Sequence, residues 1–375
     1  ANDFNNIVLD ILQSHGVRKM VKSKSMLTEE CAMNPFLERH GIDVVETDLG
    51  ERILQLLHQK PSHIVMPAIH LKREEVGRMF EEKGISTEKG NDDPTYLTQC
   101  ARKHLRNQFM EAGAGMTGCN FGVAKTGDIV VCTNEGNADM TTSMPKLHLV
   151  AMGIEKIVPD YKSLAVFQRL LCRSATGQPT TAYTSHFRQA RPGAEMHVIL
   201  VDNGRSDILA NDEHWETLKC IRCGACMNTC PVYRRSGGYS YTYFIPGPIG
   251  INLGMLHDAS RYNDNVSACT LCLSCDNVCP AKVNPGSQVY MWRQKLDSLH
   301  KANTMKKCMS KGMEELFDHP QLYSSALRLA PLANLIPEGL THIRTLNPWG
   351  VAHAMPNFAK ESFQTMWKKG KLKKQ

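Results

Sequence analysis

A chain of 375 residues with 42% hydrophobic and 22% charged residues has room for about two globular domains and an ordinary apolar core. The net charge of +7 is local: Lys368, Lys369, Lys371, Lys373 and Lys374 crowd the terminal W-K-K-G-K-L-K-K-Q, which leaves about +2 elsewhere and gives no argument for nucleic acid. No apolar run of about 18 residues offers a spanning helix.

The opening residues carry no leader pattern. They begin at Ala1 directly in a helical pattern, so the sequence reads either as truncated or as starting where order begins. Phe4, Ile7, Val8, Ile11 and Leu12 recur at helical spacing up to Gly16. A strand follows at Arg18–Val21. Thr28 is expected to cap a helix that reaches about His40. Strands at Ile42–Glu46 and His63–Pro67 then alternate with helices around Ile53–Leu57 and at Arg73–Glu82. This βαβα rhythm predicts a mostly parallel, covered sheet.

Asp93-Pro94 opens a longer helix that runs to about Met110. Gly115–Asn137 reads as two strands around the K-T-G-D turn at Lys125–Asp128. Further strands are expected at Leu147–Met152 and His197–Asp202, with a helix at Ser163–Arg173 and a surface loop at Thr176–Gly193. A connector over 203–219 turns helical near His214–Lys219. Helical spacing returns after Pro285 and over 303–333, and the lysine-rich tail reads as a solvated, disordered end.

The chemistry concentrates in residues 220–280. C-I-R-C-G-A-C-M-N-T-C-P supplies Cys220, Cys223, Cys226 and Cys230, and C-T-L-C-L-S-C-D-N-V-C-P supplies Cys269, Cys272, Cys275 and Cys279. Each is C-x2-C-x2-C-x3-C-P, the spacing of two-cluster iron–sulfur proteins, in which the fourth cysteine reaches the other cluster. Cys220, Cys223, Cys226 and Cys279 are therefore assigned to one 4Fe–4S cluster, and Cys269, Cys272, Cys275 and Cys230 to the other. Structural zinc does not account for eight cysteines in a doubled pattern with terminal prolines. The six remaining cysteines are scattered, as free thiols in a reducing compartment would be. The insert Pro231–Ala268 reads as a packed loop that shields a cluster, or as a docking surface.

V-K-S-K-S-M-L-T-E-E (Val21–Glu30), V-V-E-T-D-L-G-E (Val44–Glu51), P-S-H-I-V-M-P-A-I-H (Pro61–His70), T-G-C-N-F-G-V-A (Thr117–Ala124), V-C-T-N-E-G-N (Val131–Asn137) and V-D-N-G-R-S (Val201–Ser206) join the first cysteine motif in a resemblance that covers nearly the whole chain. The first part resembles the LUD (lactate utilisation) domain. The whole resembles the iron–sulfur protein of L-lactate utilisation, the lactate utilisation protein B family. The resemblance implies an α/β LUD domain (1–205) similar to sugar-phosphate isomerase and CoA-transferase folds. An α-helical ferredoxin-type two-cluster domain (206–300) and a C-terminal helical region with a basic tail (301–375) would follow. It also implies two protein partners, a cysteine-rich heterodisulfide-reductase-like protein and a smaller LUD protein, in a cytoplasmic or membrane-peripheral complex. This chain would be one component of an L-lactate-oxidising complex rather than a complete enzyme.

Lys22 and Lys24 follow a strand of the parallel sheet, where ligands gather beyond the carboxyl ends. They read either as holders of a substrate carboxylate or as a solvated pair. Glu135 offers a base, and Asn120, Asn134 and Asn137 offer substrate contacts, against the simpler reading of turn hydrogen bonds. His148, on an apolar strand, is either a satisfied core histidine or a further substrate contact. Cys119 reads as a small buried residue. G-A-G-M-T-G (Gly113–Gly118) has the dinucleotide-loop spacing but precedes a strand, the wrong context. The expected function is electron transfer coupled to lactate oxidation. The alternatives are the iron–sulfur subunit of a glycolate-oxidase or heterodisulfide-reductase-type complex, and a LUD-based ligand or redox sensor.

Overall fold

In the α/β part, short β-branched and apolar runs form nine strands: β1 Lys19–Lys22, β2 Asp43–Glu46, β3 Ala114–Gly118, β4 Phe121–Val123, β5 Asp128–Thr133, β6 Leu147–Gly153, β7 Ile157–Val158, β8 Tyr183–Phe187 and β9 Glu195–Val201. The computed structural model describes residues 1–298, 304–343, 350, 353–354 and 356–371. The chain divides into two units, 1–298 and 299–375.

Five strands pair in the order β2-β1-β3-β6-β9, all parallel. Side chains alternate across a strand, so neighbouring residues enter different cores. Met20 and Val44 join Phe4, Val8, Leu12 and Leu37 on one face. Val21 and Val45 join Leu105 and Phe109 on the other. Burial on both faces is why these strands read as continuous apolar runs. Gly115 has a packing reason: a Cβ there would lie 1.9 Å from the carbonyl oxygen of Thr141, so the helix Asn137–Ser143 can approach β3 only over a glycine.

The four other strands form a second sheet, β7-β4-β5-β8, in which β4–β5 and β5–β8 are antiparallel. Gly115–Asn137 thus holds three strands rather than two, and Thr176–Gly193 contains β8 rather than only a loop. The Y-T-S-H-F run of β8 is an edge strand with little burial, so no apolar alternation marked it.

Capping fixes several helix starts. Asp48 Oδ1 accepts from Glu51 N at 3.1 Å, Asp93 Oδ1 from Tyr96 N at 2.9 Å, and Asp160 Oδ1 from Ser163 N at 2.9 Å. The expected Thr28 cap is corrected: Ser25 caps Met26–Glu30, Thr28 is buried inside that turn, and a second helix, Met33–Arg39, follows. His63–Pro67 is not a strand. His63 Nδ1 instead accepts from the backbone N–H groups of Val65 and Met66, which curls the segment into a loop.

The rest of the first unit is helical. Ala225–Thr229 and Ser274–Val278 follow the two cysteine loops, and Pro285–Ser298 packs behind them. The insert is not a plain loop: it holds Pro231–Ser236, Gly247–Tyr262 and Asp264–Ala268, and buries Tyr233, Tyr241, Tyr243, Ile245, Ile249 and Met255. It grips the α/β loop through Tyr233 Oη on Ser62 O at 2.7 Å and Tyr239 Oη on Lys60 O at 2.6 Å.

The second unit contains helices Thr304–Asp318, Pro320–Leu329 and Phe363–Lys368, and Asn334 bonds both backbone polar groups of Phe358. In the tail, the exposed Lys369 and Lys371 each reach Glu361 at 2.8 Å. Lys373 and Lys374 lie outside the described residues. Among the described residues no helix is long and apolar enough to cross a membrane.

Candidate metal centres and the adjoining cavity

The two cysteine loops share one backbone solution. Arg222 and Gly224 are left-handed in the first (φ 60° and 78°), and Leu271 and Leu273 in the second (φ 53° and 55°). The repeat of left-handed residues at matching motif positions is what turns the thiols of a tight loop inward. For Leu it costs on the order of 1 kcal/mol per residue.

Cys220, Cys223, Cys226 and Cys279 line one small cavity together with Ile249 and Val283. Burial pushes the Cys223 thiol up to about 11, with Cys220 and Cys279 adding to the shift. Burial pushes Cys275 up to about 12, followed by Asp276 and then by Cys269 and Cys230. Cys279 is thus an electrostatic neighbour of Cys223 in the first motif, and Cys230 of Cys275 and Cys269 in the second. Backbone N–H groups point at the sulfurs: Tyr233 N to Cys230, Leu271 N to Cys269 and Val283 N to Cys279, at 3.5, 3.3 and 3.3 Å.

Beside the first motif lies a cavity of about 270 Å³. Its floor is the carboxyl edge of the parallel sheet, through Ser23 and Lys24 after β1, Asp48 after β2, Gly118 and Asn120 at the end of β3, and Gly153, Glu155 and Lys156 at the end of β6. Its roof is Ile221, Arg222 and Ile245 from the cysteine-rich part. An open parallel sheet leaves its binding crevice at this edge.

The cavity gathers most of the residues singled out from the sequence. Lys24 lines it and donates to Val65 O at 2.7 Å. Glu135 stands at the solvent-facing rim. Its Oε2 accepts from Leu49 N at 3.0 Å, and the surrounding protein together with Asp48 raises its carboxyl to about 7. Asn120, Asn134 and Asn137 line the cavity while also holding its loops. Asn120 accepts from Cys132 N, Asn134 from Ala182 N, and Asn137 from Thr133 Oγ1.

Two residues are placed elsewhere. Lys22 is fully buried beneath the cavity, with Nζ 2.8 Å from Glu46 and 3.4 Å from Glu29. Burial disfavours its ammonium, but these acids and Glu51 outweigh it and raise its pKa. β1 ends at Lys22, whose side chain is turned into the protein, and Lys24 follows in the loop beyond the strand, where it lines the cavity. His148 is a core residue: it meets Thr117 Oγ1 at 2.9 Å, and burial lowers its pKa to about 4, so it is neutral. Cys119 lines the cavity as a thiol, raised to about 12 by burial.

Sequence reading missed Lys156, Arg205 and Arg222. Lys156 donates to Cys220 O at 3.3 Å, and Arg205 is clamped by Glu30 and Glu155. A signal existed for Lys156, which follows β6 at the same sheet edge. Arg222 was hidden among the spacer positions of a cysteine motif.

The LUD domain family model matches residues 1–208, and the 4Fe-4S dicluster domain model matches 216–283. Lactate utilization protein B of Bacillus cytotoxicus is 40% identical, over 98% of this chain and 79% of its own length. The chain belongs to the lactate utilization protein B family. A relative from Geobacillus thermodenitrificans with the same name is 42% identical over 89% of this chain and 71% of its own. The uncharacterized electron transport protein YkgF of Escherichia coli is 39% identical over 98% and 79%. No solved structure matches the chain.

For this member of the lactate utilization protein B family the dicluster match means two 4Fe–4S clusters. The residues fit them. Cys220, Cys223, Cys226 and Cys279 share one cavity, Cys230 and Cys269 neighbour Cys275, and backbone donors reach the sulfurs of Cys230, Cys269 and Cys279.

Proposed function

We propose that this chain is the iron–sulfur electron-transfer subunit of a multi-subunit complex that oxidises L-lactate to pyruvate. The observation that carries the reading is the shared wall: the cavity at the sheet's carboxyl edge is roofed by Ile221 and Arg222, which lie between two cysteines of the first motif. A site for a small acid beside a redox centre is what a coupled oxidation requires.

In this reading Cys220, Cys223, Cys226 and Cys279 hold the inner cluster, and Cys269, Cys272, Cys275 and Cys230 hold the outer. When bound, the clusters supply two one-electron acceptor sites in series. The chain's residues do the rest. Lys24 adds positive charge that attracts the acid into the cavity, and Asn120, Asn134 and Asn137 orient it. Glu135, with a carboxyl near 7, receives the hydroxyl proton. Lys22 and His148 support the sheet beneath. In lactate the C–H and O–H bonds break, a C=O bond forms, and two electrons and two protons leave. No hydride acceptor is evident in this chain's motifs, so a partner subunit contributes it and the electrons then pass singly. The partners are a cysteine-rich heterodisulfide-reductase-like protein and a smaller LUD protein, and the complex is cytoplasmic. The names of the relatives support the pathway, and one of them carries electron transport in its name.

The test is anaerobic co-purification with the two partners, followed by lactate-dependent dye reduction by the complex and by each part. Reduction by the complex alone is expected. A complete complex with both clusters intact that reduces no dye on adding lactate overturns the proposal.

A further inference from the structure

The charges that line the cavity are not spent evenly. Of its acids, Glu30 and Glu155 are held by Arg205, at 3.0 and 2.5 Å. Asp48 caps a helix through its bond from Glu51 N, and Glu135 accepts from Leu49 N. Of its cations, Arg205 alone is in direct contact with acids among the described residues, while Glu155 also acts through space on Lys156 and Arg222. Lys24 and Lys156 donate only to main-chain carbonyls, those of Val65 and Cys220, among the described residues. Arg222 has a buried Nη1 with no hydrogen-bond partner. Its backbone is left-handed at φ 60°, a strained conformation for a non-glycine residue that the motif's loop enforces. An unpartnered guanidinium nitrogen out of water is costly, and a bidentate carboxylate is the group whose geometry satisfies it.

We infer that Arg222 and Lys156 form a carboxylate clamp that seats a small organic acid against the first cysteine loop, with Lys24 on the opposite wall. The inference rests on the reading of this cavity as the acid site and names the residues that set its specificity. Arg222 stands where the cavity meets a second one lined by Asn203, Leu256 and His257, so it marks the inner end of the acid's path. Lys156 reaches the same loop from β6, with its Nζ on the carbonyl of a cysteine of the first motif. An acid held by both bridges the sheet edge to the Cys220–Cys223 loop. Its carboxylate then lies at the inner cluster's own wall, which puts the rest of the acid toward Glu135 and the solvent.

The test uses the full chain with both clusters and pyruvate as the probe. Pyruvate is titrated into the reduced protein while binding and the electron paramagnetic resonance spectrum are followed. Pyruvate is expected to alter the inner cluster's signal and leave the outer one unchanged. Arg222→Gln should weaken pyruvate binding about tenfold with iron content unchanged, and Arg222→Lys should recover part of it. Lys156→Met lies outside the cysteine motif and should weaken binding by a similar factor even if Arg222→Gln disturbs the loop. Unchanged affinity in Arg222→Gln and Lys156→Met, both retaining full iron, overturns the clamp. Inorganic phosphate that binds as tightly as pyruvate overturns the carboxylate assignment. The two proposals fail separately. A complex that oxidises lactate while pyruvate binding ignores Arg222 and Lys156 removes the clamp and keeps the electron-transfer role. Arg222-dependent pyruvate binding in a complex that never reduces dye removes the role and keeps the clamp.

Discussion

The two cysteine motifs have the same spacing and the same pair of left-handed residues, yet they face different surroundings. The first is turned inward. Cys223 is 8% exposed, Gly224 packs against His63, and Ile221 and Arg222 wall the cavity. The second is turned outward: Cys272 is exposed, and Leu273 and Val278 are 43% and 42% exposed. One cysteine pattern thus yields a first loop that walls a cavity and a second loop that meets solvent. The difference comes from what each loop packs against.

The largest effect expected from breaking this comparison comes from the crossed cysteines. Cys230→Ser should deplete the outer cluster and Cys279→Ser the inner, each lowering iron from about eight to about four atoms per chain. Loss of the cluster bound by a cysteine's own motif, seen in iron analysis and the resonance spectrum, would reverse the assignment. Next is Lys22→Met. It strands the buried carboxylate of Glu46 and should cost roughly 3–5 kcal/mol, read as a lower midpoint in thermal unfolding. Iron content and pyruvate affinity of the folded protein should hold, because Lys22 lies off the cavity. A loss of pyruvate binding at full stability would put Lys22 in the site.

A smaller effect is expected at Glu135. Its carboxyl is raised to about 7, so the base form that accepts a proton dominates above that pH and is lost below it. Lactate oxidation by the complex should fall about tenfold per pH unit below 7, and Glu135→Gln should be slow and flat across the same range. An unchanged pH profile in the variant would remove Glu135 as the base. The smallest effect separates the loops themselves. Gly224→Ala meets both a φ of 78° and His63 Cε1 at 3.1 Å, and should destabilise by about 1–2 kcal/mol. Leu273→Gly relieves a left-handed residue in the exposed loop and should be neutral or stabilising by up to about 1 kcal/mol. Equal effects at the two positions would contradict the inward and outward reading.

The parallel sheet was legible because its strands are buried on both faces, which forces apolar runs such as L-H-L-V-A-M. The edge strand β8 and the His63–Pro67 loop were not. One buries too little to leave a pattern, and the other owes its shape to a histidine that accepts two backbone N–H groups and meets Asn228 at 3.1 Å across the junction. The V-K-S-K loop was legible as a pair of lysines at a strand end, but the fold decided which one lines the cavity, because β1 stops at Lys22 and Lys24 follows in the loop. Lys22 went to Glu46, and Lys24 to the cavity.

The sequence by itself determined the metal chemistry, because cluster ligation needs thiols within a few residues of one another and so leaves a local pattern. Spacing alone also pointed to the exchange of the fourth cysteine. Only the tertiary structure decided where a ligand can sit. That cavity is assembled from strand ends more than a hundred residues apart and roofed by the spacer residues of a cysteine loop. Folding also brought Glu30 and Glu155 onto Arg205, and no local sequence pattern records which charges meet.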